Sequence, residues 1–273
     1  MRDALDLSGR VTVITGGAGL LGAQHAAAIA ELGGAPVIAD VDYSAACTLA
    51  GKLQEMFETT ALAVKVDITD ERSVEAMLAT VLQKFGRVDA LINNAANNPK
   101  VEAGVATQWS RLENFPLETW WQDLAVGLTG AFLCSKVVGS ELAKRGKGVI
   151  INIASDLALI GPDQRIYRLP GLPEAEQPVK PVTYSVVKAG LLGLTRYLAT
   201  YWADSGVRVN AICPGGVLTG QDDEFVGALT KLIPMGRMAS PDEYRASIAF
   251  LLSDASSYMT GATLVVDGGR TCW

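Results

Sequence analysis

The sequence places a tyrosine and a lysine four residues apart, at Tyr184 and Lys188. In a helix, side chains at positions i and i+4 lie on one face, so the phenol and the ammonium would point the same way. A free tyrosine has a pKa near ~10 and is a poor base at neutral pH, whereas a nearby cation favours the phenolate. The pair therefore predicts a site that moves a proton to or from a substrate.

The elements that must position this pair follow a regular pattern, in which apolar runs of strand length alternate with helical segments. Near-continuous apolar strands are typical of a parallel sheet that is covered by helices on both faces. The sequence therefore predicts a single α/β domain, a doubly wound parallel sheet of about seven strands over residues 1–273. The predicted strands are 11–14, 35–39, 61–66, 90–92, 149–153, 207–212 and 264–266, and the predicted helices are 21–32, 45–57, 73–85, 117–143, 184–203 and 242–252.

Two segments interrupt this alternation, and we interpret residues 97–115 and 161–181 as inserted loops. The first carries Trp109 and the second is rich in proline. Long loops within a compact domain are commonly functional. Both are therefore expected to contribute to a binding site.

A glycine-rich turn follows the first strand and opens an alanine-rich helix, as Thr15-Gly16-Gly17-Ala18-Gly19-Leu20-Leu21-Gly22. Glycines let the backbone approach a pyrophosphate, and a helix N-terminus offers N–H groups and a favourable dipole. Asp40 ends the second strand, where a carboxylate accepts hydrogen bonds from a ribose 2′-OH and repels a 2′-phosphate. The pattern predicts NAD as cofactor over NADP, with Asp42 as a second candidate for the ribose carboxylate.

Composition and charge narrow the classes of function. The formal net charge of −6 argues against nucleic acid as the main partner. Residues 1–10 lack the apolar core of a signal peptide and no apolar run has membrane-spanning length, so we expect a cytoplasmic protein without a membrane partner. The four cysteines have no metal-ligand spacing, and no metal site is predicted. His25, the only histidine, is expected to be structural.

Further motifs, together with the glycine turn, Asp40 and the Tyr184/Lys188 pair, give the chain a family resemblance over almost its whole length. It resembles the classical short-chain dehydrogenases/reductases, which have a Rossmann-like fold. The motifs that carry this resemblance are Asp67-Ile68, Asn93-Asn94-Ala95-Ala96, Asn152-Ile153-Ala154-Ser155, Arg208-Val209-Asn210, Pro214-Gly215 with Thr219, and Val266-Asp267-Gly268-Gly269.

The resemblance implies roles for individual residues. Ser155 would position and polarise the substrate carbonyl or alcohol, Tyr184 would be the general acid/base, and Lys188 would lower the tyrosine pKa and hold the ribose. Residues 218–240 would form a lid over the substrate, and the chain would form a homodimer or homotetramer. The implied cofactor contacts are Thr15, Gly16, Gly19, Leu20, Leu21, Gly22, Asp40, Asp67, Ile68, Asn94, Ala95, Tyr184, Lys188, Pro214, Gly215, Val217 and Thr219.

The chain departs from the family pattern in three places. Leu20 stands where the turn has its middle glycine, and Gly127 stands where the family has an asparagine that supports the water of a proton relay. The segment 161–181 also separates Ser155 from Tyr184 by more residues than is usual. A loop can close between fixed elements at modest extra entropy, so the two side chains can still meet.

The segment 161–181 also supplies the substrate candidates Arg165, Tyr167 and Arg168, together with Lys180. This basic cluster is suited to a phosphate, nucleotide or carboxylate, but solvated charges balanced by nearby glutamates are an equally good interpretation. Tyr167 is also a rival for Tyr184, but position 171 is glycine and supplies no ammonium.

The substrate expectation comes from a second resemblance, which is carried by the segment 127–132, the long loop 161–181 and residues 270–273. The chain is similar to oxidoreductases known as flagellin modification protein A, which are associated with bacterial surface-sugar synthesis. The leading hypothesis is therefore hydride transfer between NAD(H) and a hydroxyl or ketone of a sugar or sugar phosphate. The alternatives are a ketone or 3-oxoacyl reductase and, because of Gly127, a catalytically weak NAD-binding sensor or scaffold.

Overall fold

A computed structural model describes residues 2–97 and 107–273. Its seven strands form one sheet in the order β3-β2-β1-β4-β5-β6-β7, and every neighbouring pair is parallel. The predicted single-domain α/β fold is confirmed, and each of the seven predicted strands is present. The strands are β1 (Val11–Thr15), β2 (Ala35–Asp40), β3 (Leu62–Lys65), β4 (Ala90–Asn93), β5 (Gly148–Ile153), β6 (Val207–Pro214) and β7 (Thr263–Val266).

Eight α-helices lie in the described part of the chain. α4 and α5 form one continuous rod, because the π-helical turn Ala125–Thr129 joins them. The predicted helices are all present, although residues 242–244 belong to a 3₁₀ turn, Pro241–Tyr244. The helices are α1 (Leu20–Glu31), α2 (Tyr43–Phe57), α3 (Glu71–Phe85), α4 (Leu117–Leu124), α5 (Gly130–Lys144), α6 (Val182–Tyr201), α7 (Asp223–Thr230) and α8 (Arg245–Leu252).

The segments expected to be irregular contain short helices. α7 lies within the segment expected to be a lid and was not predicted, because eight residues give a weak periodic signal; the Asp222 carboxylate caps it by accepting from Phe225 N at 2.7 Å. The loop 161–181 holds two 3₁₀ turns, Gln164–Tyr167 and Glu174–Glu176. Of the loop expected at 97–115, residues 98–106 lie outside the described residues.

Alternate side chains of the strands pack into two separate apolar layers, except in the edge strand β7, where Thr263 and Val265 are exposed. Ile14 of β1 packs with α1, α2 and α8, whereas Val11 and Val13 pack with α3, α5 and α6. Both faces of the sheet are therefore buried, which explains why the strands are nearly continuous apolar runs. This double burial fixes the strand ends from which the functional side chains project.

The helix rod Leu117–Lys144 is one of the apolar elements of the second layer. By length and composition it is long and apolar enough to cross a membrane, but 44% of its most apolar stretch is buried in the fold. Its α5 part contacts β4, β5 and α3. An apolar composition and contacts with the sheet are also what a core helix of a parallel-sheet protein has.

His25 lies buried in α1, and neither ring nitrogen has a hydrogen-bond partner within residues 2–97 and 107–273. Burial lowers the pKa of this imidazole from 6.5 to about 3. Below pH ~6.5 the unfolded chain therefore binds a proton that the folded chain does not, and the free energy of unfolding falls as the pH falls. Between pH 7.5 and pH 5, His25 should account for a loss of about 2 kcal/mol.

His25→Leu is expected to remove this part of the pH dependence. Urea denaturation of the parent chain and the variant at the two pH values measures it. Equal losses of stability in the two proteins would contradict the prediction.

Candidate active site

A cleft of about 750 Å³ runs along the carboxyl ends of the strands. It lies where the chain order reverses between β1 and β4, the place at which doubly wound sheets bind their ligands. Its volume falls within the range of small-molecule and cofactor sites. Residues from both inserted segments and from all but one of the strand ends line it.

The glycine turn forms the floor of one half of the cleft. Gly16 has φ +59°, and a Cβ there would lie 2.9 Å from the Cα of Ala95; a Cβ on Gly22 would lie 2.3 Å from the Gly16 carbonyl oxygen. α1 begins after Gly19 with neither a side-chain cap nor an acidic residue in its first turn, so its N-terminus suits an anion. Leu20 is half exposed and lines the cleft, so the departure from the glycine pattern is accommodated without a clash.

The residues expected to contact a cofactor divide into two groups. Thr15 and Gly22 lie beneath the cleft, and the Thr15 hydroxyl accepts from the backbone N–H groups of Asn94 and Ala95 at 3.1 and 3.2 Å. Asn94 in turn donates its amide to the carbonyls of Thr15 and Gly16. Thr15 therefore positions the lining. The expected contacts that do line the cleft are Gly16, Gly19, Leu20, Leu21, Asp40, Asp67, Ile68, Asn94, Ala95, Tyr184, Lys188, Pro214, Gly215, Val217 and Thr219.

Asp40 and Asp42 differ in what their carboxylates do. Asp40 lines the cleft and accepts from Ala18 N and from Asp42 N, each at 3.0 Å, so its carboxylate is fixed beside the glycine turn. Asp42 caps α2, because its carboxylate accepts from Ala45 N at 3.0 Å. Asp40 is thus the residue suited to a ribose, and Asp42 is occupied elsewhere.

Ser155, Tyr184 and Lys188 all line the other half of the cleft. The Lys188 ammonium is buried, donates to the Ile153 carbonyl at 2.7 Å, and lies 5.9 Å from the centroid of the Tyr184 ring. Burial lowers the pKa of Lys188 to about 8. The fold therefore brings the three residues together across the inserted segment.

The pKa of Tyr184 differs in direction from the expectation that Lys188 lowers it. Burial raises this pKa, and the hydrogen bond with Ser155 acts in the opposite direction without reversing the shift. The physical reason is that the Lys188 ammonium is engaged by a carbonyl while the phenol is desolvated. The tyrosine is therefore protonated at neutral pH in this structure.

Two residues that the sequence did not single out surround Ser155. Its hydroxyl donates to Asp156 Oδ1 at 2.8 Å, and the other carboxylate oxygen of Asp156 accepts from Arg270 Nη1 at 2.8 Å. Asp156 and Arg270 are both buried and both line the cleft. Asp156 follows β5 and Arg270 follows β7, so no local spacing in the sequence could have paired them.

The basic cluster of segment 161–181 is divided by the structure. Arg165 pairs with Asp163 and Arg168 with Glu174, both on the surface and outside the cleft lining, as the solvated-charge interpretation predicts. Tyr167 lines the cleft and packs on Phe225, and burial raises its pKa to about 12. The ammonium of Lys180 also reaches the cleft, 3.9 Å from the Tyr184 ring centroid.

Gly127 lies in the π-helical turn between α4 and α5 and faces α6. A small cavity of about 10 Å³ next to it is lined by Lys188 and Tyr184 and by the buried Asp123, whose Oδ2 accepts from the Thr183 hydroxyl at 2.5 Å. That volume is close to the room that one water requires. Besides Tyr184 and Lys188, the polar side chains at this cavity come from Asn97, Asp123 and Thr183, and residue 127 contributes none.

Gly127→Asn, which introduces the family's residue, is expected to destabilise the fold. A Cβ at this position would lie 2.5 Å from Val187 Cγ1, and overpacking of this kind costs about 1–3 kcal/mol. Val187→Ala in the same chain should restore part of the loss. Chemical denaturation measures both variants.

Gly51→Asn is the matched control, because Gly51 lies within α2 and a Cβ there would point into open space, with no neighbouring atom of the described chain within 4 Å. Its stability should be close to that of the parent chain. A Gly127→Asn variant as stable as this control would contradict the steric argument.

Comparison with known proteins agrees with this geometry. Residues 10–167 match the family model for short chain dehydrogenases, and residues 174–271 match a model described as enoyl-(acyl carrier protein) reductase. The chain is 36% identical over 270 residues to D-threitol dehydrogenase of Mycolicibacterium smegmatis, covering 97% of this chain and 94% of that protein. It is 35% identical over 266 residues to cis-4-hydroxycyclohexanecarboxylate dehydrogenase of Sinomonas cyclohexanicum, covering 96% of each.

Solved structures give the same result. One is a gluconate 5-dehydrogenase from Burkholderia cenocepacia J2315 in complex with NADP and tartrate. It superposes with a TM-score of 0.87 at 28% identity, and the match covers 100% of this chain and 99% of the dehydrogenase chain. An NAD⁺-bound xylitol dehydrogenase superposes with a TM-score of 0.83 at 26% identity, covering 96% and 99%. The chain therefore belongs to the short-chain dehydrogenases/reductases, oxidoreductases that act on CH–OH groups with nicotinamide cofactors.

Proposed function

We propose that the chain transfers a hydride between NAD(H) and a hydroxyl or ketone of a small polar substrate, a polyol, sugar or sugar phosphate. The observation that carries this proposal is the meeting of Ser155, Tyr184 and Lys188 in one cleft with Asp40 and the glycine turn. The threitol, xylitol and gluconate dehydrogenases among its relatives act on substrates of this class by name. A place in surface-glycan synthesis rests on the resemblance alone.

The roles of the chain's own residues follow from their positions. Ser155 holds the substrate oxygen beside Tyr184, and the tyrosine takes the hydroxyl proton in oxidation or returns it in reduction. Lys188 donates to the carbonyl of Ile153, the last residue of β5, and this hydrogen bond fixes the strand end just before Ser155. NAD, when bound, would supply the hydride acceptor for oxidation and, as NADH, the hydride donor for reduction.

The proposed preference for NAD over NADP is based on the Asp40 carboxylate. Asp40→Ser should raise the ratio of NADP to NAD efficiency, measured as kcat/KM, by roughly 10- to 100-fold, since it removes a carboxylate that bonds a ribose hydroxyl and repels a phosphate. Asp42→Ser is the control, because that carboxylate caps α2. A parent chain that prefers NADP, or an unchanged ratio in Asp40→Ser, would contradict the assignment.

Two alternatives have an observation in their favour. The chain is 32% identical over 269 residues to a 3-oxoacyl-[acyl-carrier-protein] reductase of Synechocystis sp., and this relative favours a ketone or 3-oxoacyl substrate. Gly127 favours a weakly catalytic sensor or scaffold, but such a protein needs none of Ser155, Tyr184 and Lys188. Charged side chains line the catalytic half of the cleft. They favour a small polar substrate over a 3-oxoacyl substrate and over a sensor or scaffold.

A substrate screen tests these functions. Polyols, sugars, sugar phosphates and 3-oxoacyl thioesters are offered with NAD(H) and NADP(H), and the absorbance of the reduced nicotinamide is followed. Turnover of polyols or sugars with NAD is the expected result. Turnover of the thioesters alone would favour the reductase, and firm NAD binding without any turnover would favour the sensor.

We further propose a cytoplasmic homodimer or homotetramer that is built on the helix rod and α6. Large apolar side chains are exposed on these elements, among them Leu117, Trp121, Phe132, Tyr197 and Tyr201. Covering such a patch is a common reason for association. Light scattering during size-exclusion chromatography should give at least twice the monomer mass at micromolar concentration, and a monomer would contradict the proposal.

A further inference from the structure

An apolar contact joins the inserted segment 161–181 to α7. The 3₁₀ turn Gln164–Tyr167 packs against this helix. The rings of Tyr167 and Phe225 meet there, with their centroids 5.6 Å apart and their planes inclined by 45°. Both rings pack on one apolar cluster, whose buried members are Ile166, Leu229, Ile233 and Met238. Two segments that are distant in the sequence therefore share one small core.

One side of this core faces the cleft. The side chains that line the cleft there, and that we call the apolar wall, are Tyr167, Phe225, Leu229 and Met238. Gly216 shows where the wall lies, because a Cβ on this residue would be 2.9 Å from Leu229 Cδ2 and 3.3 Å from Met238 Cε. Since Gly216 comes just after β6, the wall stands at the carboxyl end of that strand.

The proposed catalytic groups lie beside the apolar wall. Ser155 comes just after β5, and β5 pairs with β6, so the ends of the two strands are about 5 Å apart. Burial raises the pKa of Tyr167 to about 12, and the charges of Asp156 and Tyr184 add to this rise. The Tyr167 phenol is therefore within electrostatic range of Tyr184. A substrate held at Ser155 and Tyr184 thus meets the wall with part of its carbon skeleton.

The combination of a polar and an apolar side selects the shape of a substrate. An open-chain polyol has a hydroxyl on every carbon, and packing it on apolar side chains leaves some of these hydroxyls without hydrogen bonds. A cyclic polyol with equatorial hydroxyls has a polar edge and two faces that carry C–H groups. Its edge can bond Ser155 and Tyr184 while one face packs on the apolar wall, and a ring loses less conformational freedom on binding than a chain does.

We propose, resting on the function proposed above, that the apolar wall determines specificity and that the substrate is a cyclic polyol, held by one C–H face on Tyr167 and Phe225. Aromatic side chains supply large apolar surfaces, and pockets for small molecules combine such surfaces with a few placed polar groups. Both rings are held by the buried part of the cluster, so the wall exists before a substrate binds. Tyr167 and Phe225 take no part in the transfer of the hydride or the proton.

A comparison of cyclic and open-chain polyols tests this assignment. The cyclic set is myo-inositol, scyllo-inositol and methyl β-glucopyranoside, and the open-chain set is sorbitol, xylitol and threitol, all offered with NAD. The best cyclic substrate should exceed the best open-chain substrate in kcat/KM by about tenfold or more. An open-chain polyol as the best substrate would overturn the proposal.

Variants of the apolar wall show whether it causes the preference. Tyr167→Ala and Phe225→Ala should each lower the ratio of cyclic to open-chain kcat/KM by about 3- to 10-fold, because each removes one aromatic surface. A general loss of folded or active protein lowers both values alike and leaves the ratio unchanged. Tyr167→Phe keeps the ring and should keep the ratio. Tyr258→Ala, at a fully exposed tyrosine near the amino ends of β5 and β6, is the matched control and should also keep it.

Two results with these variants would contradict the role of the wall. Equal losses on cyclic and open-chain substrates in Tyr167→Ala and in Phe225→Ala would mean that the rings support the site without selecting a shape. A ratio that falls in Tyr167→Phe as far as in Tyr167→Ala would mean that the phenol, and not the ring face, makes the selection.

A binding measurement that requires no turnover completes the test. With the NADH complex, saturation-transfer NMR should show stronger transfer from the protein to the C–H protons of myo-inositol than to those of sorbitol. The difference should be lost in the double variant Tyr167→Ala/Phe225→Ala. Equal transfer to the two ligands in the parent chain would overturn the assignment.

The outcomes separate this inference from the proposed function. Oxidation of open-chain polyols alone, dependent on Tyr184, would remove the preference for rings and leave the function standing. Absence of turnover on both sets would remove the function, whereas the NMR comparison would still support or contradict ring binding at the apolar wall.

Discussion

Tyr184→Phe is expected to lower kcat/KM by about 10²- to 10⁴-fold on whichever alcohol or ketone the chain accepts, because the variant removes the group that carries the proton. The ring remains, and so do its contacts with Lys180 and Lys188. Binding of NADH should therefore stay within a few-fold of the parent value. Steady-state kinetics and fluorescence titration of NADH measure the two quantities.

Tyr197→Phe is the matched control for this prediction. Tyr197 lies on the same helix, α6, but its side chain is exposed and far along the helix from the cleft. The Tyr197→Phe variant also loses a phenolic hydroxyl, but its kcat/KM should be unchanged. If Tyr184→Phe kept activity within tenfold of the parent chain, Tyr184 would not be the acid/base of the reaction.

Arg270→Met is expected to destabilise the fold by about 3–5 kcal/mol, because it leaves the Asp156 carboxylate buried without its cation. The two side chains are only 7% and 5% exposed, so solvent cannot replace the lost partner. The same carboxylate accepts from the Ser155 hydroxyl and from Leu157 N, so activity should fall as well. Urea denaturation and steady-state kinetics measure these effects.

Two further variants isolate the buried charge as the cause. Asp156→Asn combined with Arg270→Met should be more stable than Arg270→Met alone, since no charge is then left unpaired. Arg165→Met removes an arginine whose side chain is 80% exposed, and it should change stability little. Equal small effects of Arg270→Met and Arg165→Met would contradict the prediction.

The fold was predictable because its signals are local and repeated. The inner strands are buried on both faces and therefore read as short apolar runs, and each long helix carries an apolar stripe. α7 was missed because it has eight residues and is held by one cap. The inserted segment 161–181 was recognised as a loop, but its two 3₁₀ turns and the buried Gln177 depend on contacts that no periodicity reports.

The candidate site was predictable wherever one short stretch carries the chemistry. Tyr184 and Lys188 are one helical turn apart, the glycines follow directly on β1, and Asp40 ends β2. The sequence could not distinguish Lys180 from Arg165 and Arg168, since all three are cations of one loop. The structure separates them, because Asp163 and Glu174 hold the two arginines on the surface.

By itself the sequence determined the parallel sheet, the glycine turn and the pairing of a tyrosine with a lysine, since each is encoded by residue types within a few positions of one another. Only the tertiary structure decided which charges meet. Asp156 and Arg270 are 114 residues apart in the chain and 2.8 Å apart in space. Likewise, the residue that excludes a side chain at Gly127 is Val187 on another helix. Such contacts are set by the packing of distant elements, and that packing has no local signature.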